Sequence, residues 1–227
     1  MGMTIKAILF DLDNTLIDFM RMKEKSCEAA IDAMILVGLK TNKKKATKEL
    51  FKLYDKHGIE HRNVFEKLSK KINGKVNYRV VTHGILAYRK LRESYLSAYL
   101  GTRPVLKKLK KKYKLAIISD APRWNAWFRL VALRIDQYFD IVVTSGDVKK
   151  QKNTKTPFRS ALNQLRIKPE EALMVGDRIE RDINIAKEMG IKTCYAAYGR
   201  TTKIKKKSGA DFEINDIKEL LEVVKKI

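Results

Sequence analysis

The chain has 227 residues, 44% of them hydrophobic and 33% charged, so it is long and apolar enough to bury a core without covalent staples, and a disordered chain is excluded. Its 49 Lys and Arg against 26 Asp and Glu give a net charge of +23, which favours anionic partners: phosphorylated small molecules, nucleic acid or an acidic membrane surface. Two cysteines, Cys27 and Cys194, lie far apart and outside any CxxC, which excludes a disulfide framework and a cysteine-rich zinc site.

Residues 5–10 form a short apolar run that ends at Asp11, the pattern of a buried strand. From 18 to 99 there is no convincing strand. Helices are expected there over 21–37, 43–56, 62–72 and 79–99, with Gly38, Gly58 and Gly74 as stops. Gly101-Thr102-Arg103-Pro104 marks a change of pattern. Beyond it, strands at 115–118, 141–144, 172–175, 192–196 and 210–214 alternate with helices at 103–112, 122–134, 157–165, 180–189 and 216–226. This alternation predicts an α/β fold, a Rossmann-like three-layer core with a parallel sheet. The core comprises 1–17 and 100–227, with an all-helical domain, 18–99, inserted after the first strand. No run approaches the roughly 18 apolar residues of a membrane span, and no apolar run precedes a cleavage site, so a cytoplasmic protein without a membrane partner is expected. Gly2 begins no myristoylation motif, because position 6 is Lys.

In open parallel sheets the ligand lies beyond the carboxyl ends of the strands, and here those ends carry Asp11, Asp13, Ser119, Asp120 and Asp177. Residues two apart in an extended segment face one side, so Asp11 and Asp13 share a cleft. That pair suits phosphoryl transfer: one carboxylate attacks phosphorus, and the other gives a proton to the leaving oxygen and later takes one from water. Mg²⁺ binds a few carboxylates, waters and a substrate phosphate, and Asp11 with Asp177 would supply such a site. Asp182 would orient it by hydrogen bonding or complement a helix dipole. Ser119 and nearby N–H groups would hold phosphate oxygens, and Asp120 would join them there or cap the next helix.

In these segments the chain resembles the haloacid dehalogenase superfamily. Asp11-x-Asp13-x-Thr15 matches its first motif, Ser119 its second and Gly176-Asp177-x4-Asp182 its fourth, in the right order across nearly the whole chain. The insert resembles the subclass I cap. The resemblance implies that Asp11 is the nucleophile that forms an aspartyl-phosphate. Asp13 would be general acid and base, with its main-chain carbonyl at Mg²⁺. Asp177 would complete the metal site, with Thr15 fixing the loop and Ser119 the phosphate. The third motif departs from the family pattern Lys-Pro-x-Pro. Aligning on Phe158 makes Lys152 the equivalent lysine, at the phosphate and catalytic, while both prolines are replaced; Lys155 is the alternative. Loss of the prolines predicts a looser loop.

An acid at position 13 favours metal-dependent phosphatase chemistry over dehalogenation, since halide leaves without a proton; a phosphomutase remains open. The expected substrate is a small phosphate ester, handled by a monomer or homodimer. A second reading is a basic nucleic-acid-binding protein on a weakly active scaffold, carried by the lysine runs at 107–114, 203–207 and 43–45. No aromatic stripe accompanies these runs, so weak, non-specific adhesion is the expectation. Trp127 is expected to pack on a helix face, whereas Arg123 and Trp124 could reach the cleft. Arg21 is expected to be solvated, and His57 and His61 to be a surface pair rather than metal ligands.

Overall fold

β1 (Ala7–Phe10) is buried at all four positions, as a parallel strand covered on both faces must be. The computed structural model describes residues 4–199 and 208–227, so Gly2 and the basic run at 203–207 lie outside the described residues. After the loop that follows β1 the chain enters a unit of its own, Phe19–Leu96. It consists of α1 (Phe19–Leu36), α2 (Lys43–His57), α3 (Val64–Asn73) and α4 (Tyr78–Ser94). Asn42 and Asn77 cap α2 and α4 by accepting from the N–H groups of Lys45 and Val80, and Gly74, in the left-handed region, closes α3. Ile31, Met34, Leu50, Leu68 and Val80 form this unit's core. Met34 of α1 stands where a Cβ on Gly84 of α4 would be, so glycine sets that close approach.

The other unit, Met1–Asp18 with Ser97–Ile227, resumes at α5 (Thr102–Leu109) and β2 (Lys114–Ser119). α6 (Arg123–Ala132), β3 (Ile141–Thr144), α7 (Ser145–Val148), α8 (Thr156–Leu165) and β4 (Ala172–Gly176) follow. A π-helical turn (Ile179–Ile183) then runs into α9 (Asn184–Lys187), before β5 (Lys192–Ala196), β6 (Phe212–Ile214) and α10 (Leu220–Val223). Among the described residues six strands form one sheet in the order β3-β2-β1-β4-β5-β6, with every pairing parallel. Ala7, Leu9, Ala116, Ile118 and Met174 pack with Phe158, Ala161 and Leu165 of α8. Ile8, Phe10, Ile117 and Val175 point the other way and are equally buried, so both faces of the sheet are covered.

The winding reverses between β1 and β4. β2 and β3 build outward on one side of β1, and β4 to β6 on the other. Phe10 stands between Ile117 and Val175, so Asp11 and Asp177 leave the sheet side by side at the crevice this reversal opens.

Three elements differ from expectation. The helix expected over 180–189 is a π turn followed by one short α-helical segment, because the Asp182 carboxylate is drawn inward to accept from the Arg178 N–H at 3.0 Å. The helix expected over 216–226 is a 3₁₀ turn, Ile217–Glu219, plus α10. α6 is turned over. Its apolar residues Trp124, Trp127, Phe128 and Val131 are exposed, while Ala126, Arg129 and Leu130 face inward. The expectation that Trp127 packs on a helix face is thereby corrected. No described helix is long and apolar enough to cross a membrane.

Candidate active site

Asp11 is the first residue past β1 and keeps its place in the ladder, its N–H donating to the Val175 carbonyl at 2.9 Å. Asn14 takes a left-handed backbone (φ 65°), and its N–H donates to the Ile17 carbonyl at 2.7 Å. The resulting turn folds the Thr15 hydroxyl back onto Asp11 Oδ2 at 3.1 Å. The Tyr198 hydroxyl donates to the Thr15 carbonyl at 2.7 Å, and the Gly199 backbone lies directly against the Asn14 carbonyl and the Asp177 side chain. The segment after β5 thus braces the turn that aims Asp11.

The Lys152 ammonium is buried, donates to Asp11 Oδ1 and forms an ion pair with Asp182 Oδ1 at 2.7 Å. Burial opposes its charge, but the carboxylates of Asp11, Asp182 and Asp120 outweigh burial and hold the amine above the ordinary lysine range. Lys155 stands elsewhere, paired with Glu188 at 3.2 Å. The loop lacking its prolines is pinned another way: the Lys152 N–H donates to Asp120 Oδ1 at 2.7 Å, and Arg181 Nη1 donates to Asp120 Oδ2 at 3.0 Å. Asp120, expected at the phosphate, therefore has both oxygens committed to holding Lys152 and Arg181. A carboxylate would also repel a phosphate. Ser119 ends β2, buried, with its hydroxyl accepting from the Ala121 N–H at 3.1 Å.

Asp177 and Asp182 complete the crevice. The Asp182 carboxylate lies against Gly176, where a Cβ would collide with it. Burial raises both acids above the ordinary carboxylate range; the Asp11 charge adds to this in each case, while Lys152 opposes it. Among the described residues neither Asp177 oxygen has a hydrogen-bond partner, although both are buried. Carboxylate oxygens of Asp11, Asp177 and Asp182 lie within 4.8 Å of one another. Three carboxylates against one ammonium leave an excess of negative charge. The two Asp177 oxygens, buried and without proton donors, are what a hard divalent cation takes, so the residues fit Mg²⁺.

The structure therefore gathers Asp11, Thr15, Lys152, Asp177 and Asp182, with Ser119 at the end of β2. The Asp13 carboxylate is outside the acidic cluster and meets Arg129 of α6 instead, Nη1 to Oδ2 at 2.6 Å. Arg123 is taken by Asp147 at 2.5 Å, and Trp124 is 84% exposed. His57 and His61 stack ring on ring at 4.9 Å and belong to no cluster of potential metal ligands among the described residues. Four residues that build the site escaped the sequence reading: Arg129, Arg181, Tyr198 and Gly199. Only Gly199 left a trace, as a glycine just past the carboxyl end of a predicted strand.

A family model described as haloacid dehalogenase-like hydrolase matches residues 8–196. The glyceraldehyde 3-phosphate phosphatase of Pyrococcus furiosus is 34% identical over 225 residues, covering 98% of this chain and 94% of that protein. The enzyme of the same name from Methanocaldococcus jannaschii is 33% identical, covering 98% of each. Among solved structures, an HAD phosphatase from Thermococcus onnurineus superposes with a TM-score of 0.71 at 23% identity, covering 97% of this chain and 98% of its own, a likeness of fold.

Proposed function

The chain belongs to the haloacid dehalogenase-like hydrolase family and is a phosphatase, and we propose that it hydrolyses a small phosphate monoester through a covalent phosphate on Asp11. The observation that carries this reading is the buried Asp11 carboxylate, held by Lys152 and Thr15 beside the unpartnered oxygens of Asp177. The relatives named for glyceraldehyde 3-phosphate make a three-carbon phosphate ester the substrate class of choice.

Asp11 and Asp177, with the main-chain carbonyl of Asp13, would hold a divalent cation, which would neutralise phosphate charge. Asp182 is committed to Lys152 and to the Arg178 N–H, and orients the site from behind. Lys152 and Thr15 fix the direction of the Asp11 carboxylate. An Asp11 oxygen attacks phosphorus as the ester P–O bond breaks, and Asp13 gives its proton to the departing alkoxide. Asp13, now ionised, takes a proton from water as that water attacks phosphorus; the Asp11–phosphate bond breaks and inorganic phosphate leaves. Lys152 and Ser119 balance charge on the non-bridging oxygens.

The test is hydrolysis of glyceraldehyde 3-phosphate and p-nitrophenyl phosphate with Mg²⁺, with EDTA, and after Mg²⁺ is restored. Turnover that needs the cation and returns with it is expected. Turnover indifferent to EDTA would overturn the metal assignment.

A further inference from the structure

We propose that Arg129 is a positioning residue for phosphoryl transfer: by donating to Oδ2 of Asp13 it fixes the plane of the carboxyl group that, once protonated on Oδ1, delivers that proton to the leaving oxygen. This rests on the reading of Asp13 as general acid. Arg129 Nη1 meets Asp13 Oδ2 at 2.6 Å, and its side chain is 6% exposed against 21% for Asp13. The two residues are 116 positions apart, joined because β1 and β2 are neighbours and α6 follows β2.

Stability alone is a weak account of this half-buried contact. α6 presents Ala126, Arg129 and Leu130 inward while Trp124, Trp127, Phe128 and Val131 stay in solvent. Apolar side chains were available on this helix, yet a guanidinium occupies the inward position. Desolvating an arginine and a carboxylate costs roughly what their attraction returns, so a buried ion pair is poor evidence of a stabilising device. What the pair does supply is direction. A guanidinium holding one oxygen sets the torsion of a short side chain, and with it the line along which the other oxygen faces. Asp13 sits where the turn through Asn14 begins, and a proton donor there must be aimed at the ester oxygen while Asp11 attacks from the opposite side.

The leaving group gives a readout that a strut would not move. A strongly basic alkoxide cannot depart without a proton, whereas p-nitrophenolate departs without one. kcat/KM reports the steps through transfer of phosphorus to Asp11, so it isolates the acid step from later hydrolysis. The experiment measures kcat/KM for glyceraldehyde 3-phosphate and for p-nitrophenyl phosphate in the wild type, Arg129→Met, Arg129→Lys, Asp13→Asn and the Arg129→Met/Asp13→Asn double variant. The ratio of the two values is taken on one preparation, so the folded fraction cancels. Asp13→Asn should lower the alkyl-to-aryl ratio about 10²-fold. Arg129→Met should lower it about tenfold, Arg129→Lys should recover part of that, and Arg129→Met should change nothing further once Asp13 is Asn. Equal losses on both esters in Arg129→Met, with the ratio still falling in Asp13→Asn, would overturn the positioning role and leave Asp13 as the acid. An unchanged ratio in Asp13→Asn would overturn the reading of Asp13 itself, and the role of Arg129 with it.

Discussion

Lys152 shows how one residue reconciles a crowded site. Asp11, Asp177 and Asp182 are buried within 4.8 Å of one another, an arrangement that repels itself unless cations are present. One ammonium engages two of the acids, and the oxygens of the third have no hydrogen-bond partner among the described residues. The sequence offers four lysines within 149–155 and does not say which one turns inward. The choice is made by Asp120, which holds the Lys152 N–H, and by Phe158, buried at the start of α8, which fixes the register of the loop. Lys152→Ala should therefore lower kcat by about 10²–10³-fold, the usual cost of removing a group that stabilises transition-state charge. Lys155→Ala, losing only its contact with Glu188, should stay near wild type in the same assay. The reverse order would move the role to Lys155.

At the scale of elements, motifs at strand ends were legible because their positions follow from local pattern. An apolar run stopped by Asp or Gly-Asp ends a parallel strand, and the sheet brings such ends together. α6 was misread for the converse reason. Its apolar residues recur at helical spacing, which identifies the helix but not which side the sheet takes, and Arg129 occupies the inner side. The π turn at Ile179–Ile183 was hidden likewise, since the pull of a buried carboxylate on its own backbone has no periodic signature. Gly199 carries no motif that marks its role. Its Cα faces the carbonyl of Asn14, so a methyl group there must displace backbone in the turn that aims Asp11 and Thr15. Gly199→Ala should cut kcat/KM by about 10²-fold, the scale expected when reacting groups shift by about an ångström. Gly146→Ala, where a Cβ meets ordinary contacts at 3.6 Å, serves as the control and should be near neutral. Full activity in Gly199→Ala would show that the segment after β5 does not brace the site.

Across the whole molecule, the charge of +23 and the acidic crevice divide the work between long and short range. Lys107, Lys108, Lys111 and Lys112 are exposed, with Leu106 and Leu109 of α5 buried beneath them, the arrangement of a solvated helix face and its end. A field of that sign draws phosphate esters toward a site whose own carboxylates would otherwise turn them away. The strand–helix alternation was enough to read the parallel sheet, and the first, second and fourth motifs were enough to place Asp11, Ser119 and Asp177 at strand ends, because each depends on residues close in sequence. The contacts that complete the site were not legible: Asp13 to Arg129, Asp120 to Arg181, and Thr15 to Tyr198 join residues separated by 116, 61 and 183 positions. The most direct measurement is to quench the working enzyme in acid during turnover of glyceraldehyde 3-phosphate, reduce with borohydride and map the modified residue by mass spectrometry. The expected result is an acyl phosphate at Asp11, seen as homoserine at position 11, and neither the adduct nor turnover in Asp11→Asn. Turnover with no adduct, or turnover that survives in Asp11→Asn, would contradict it.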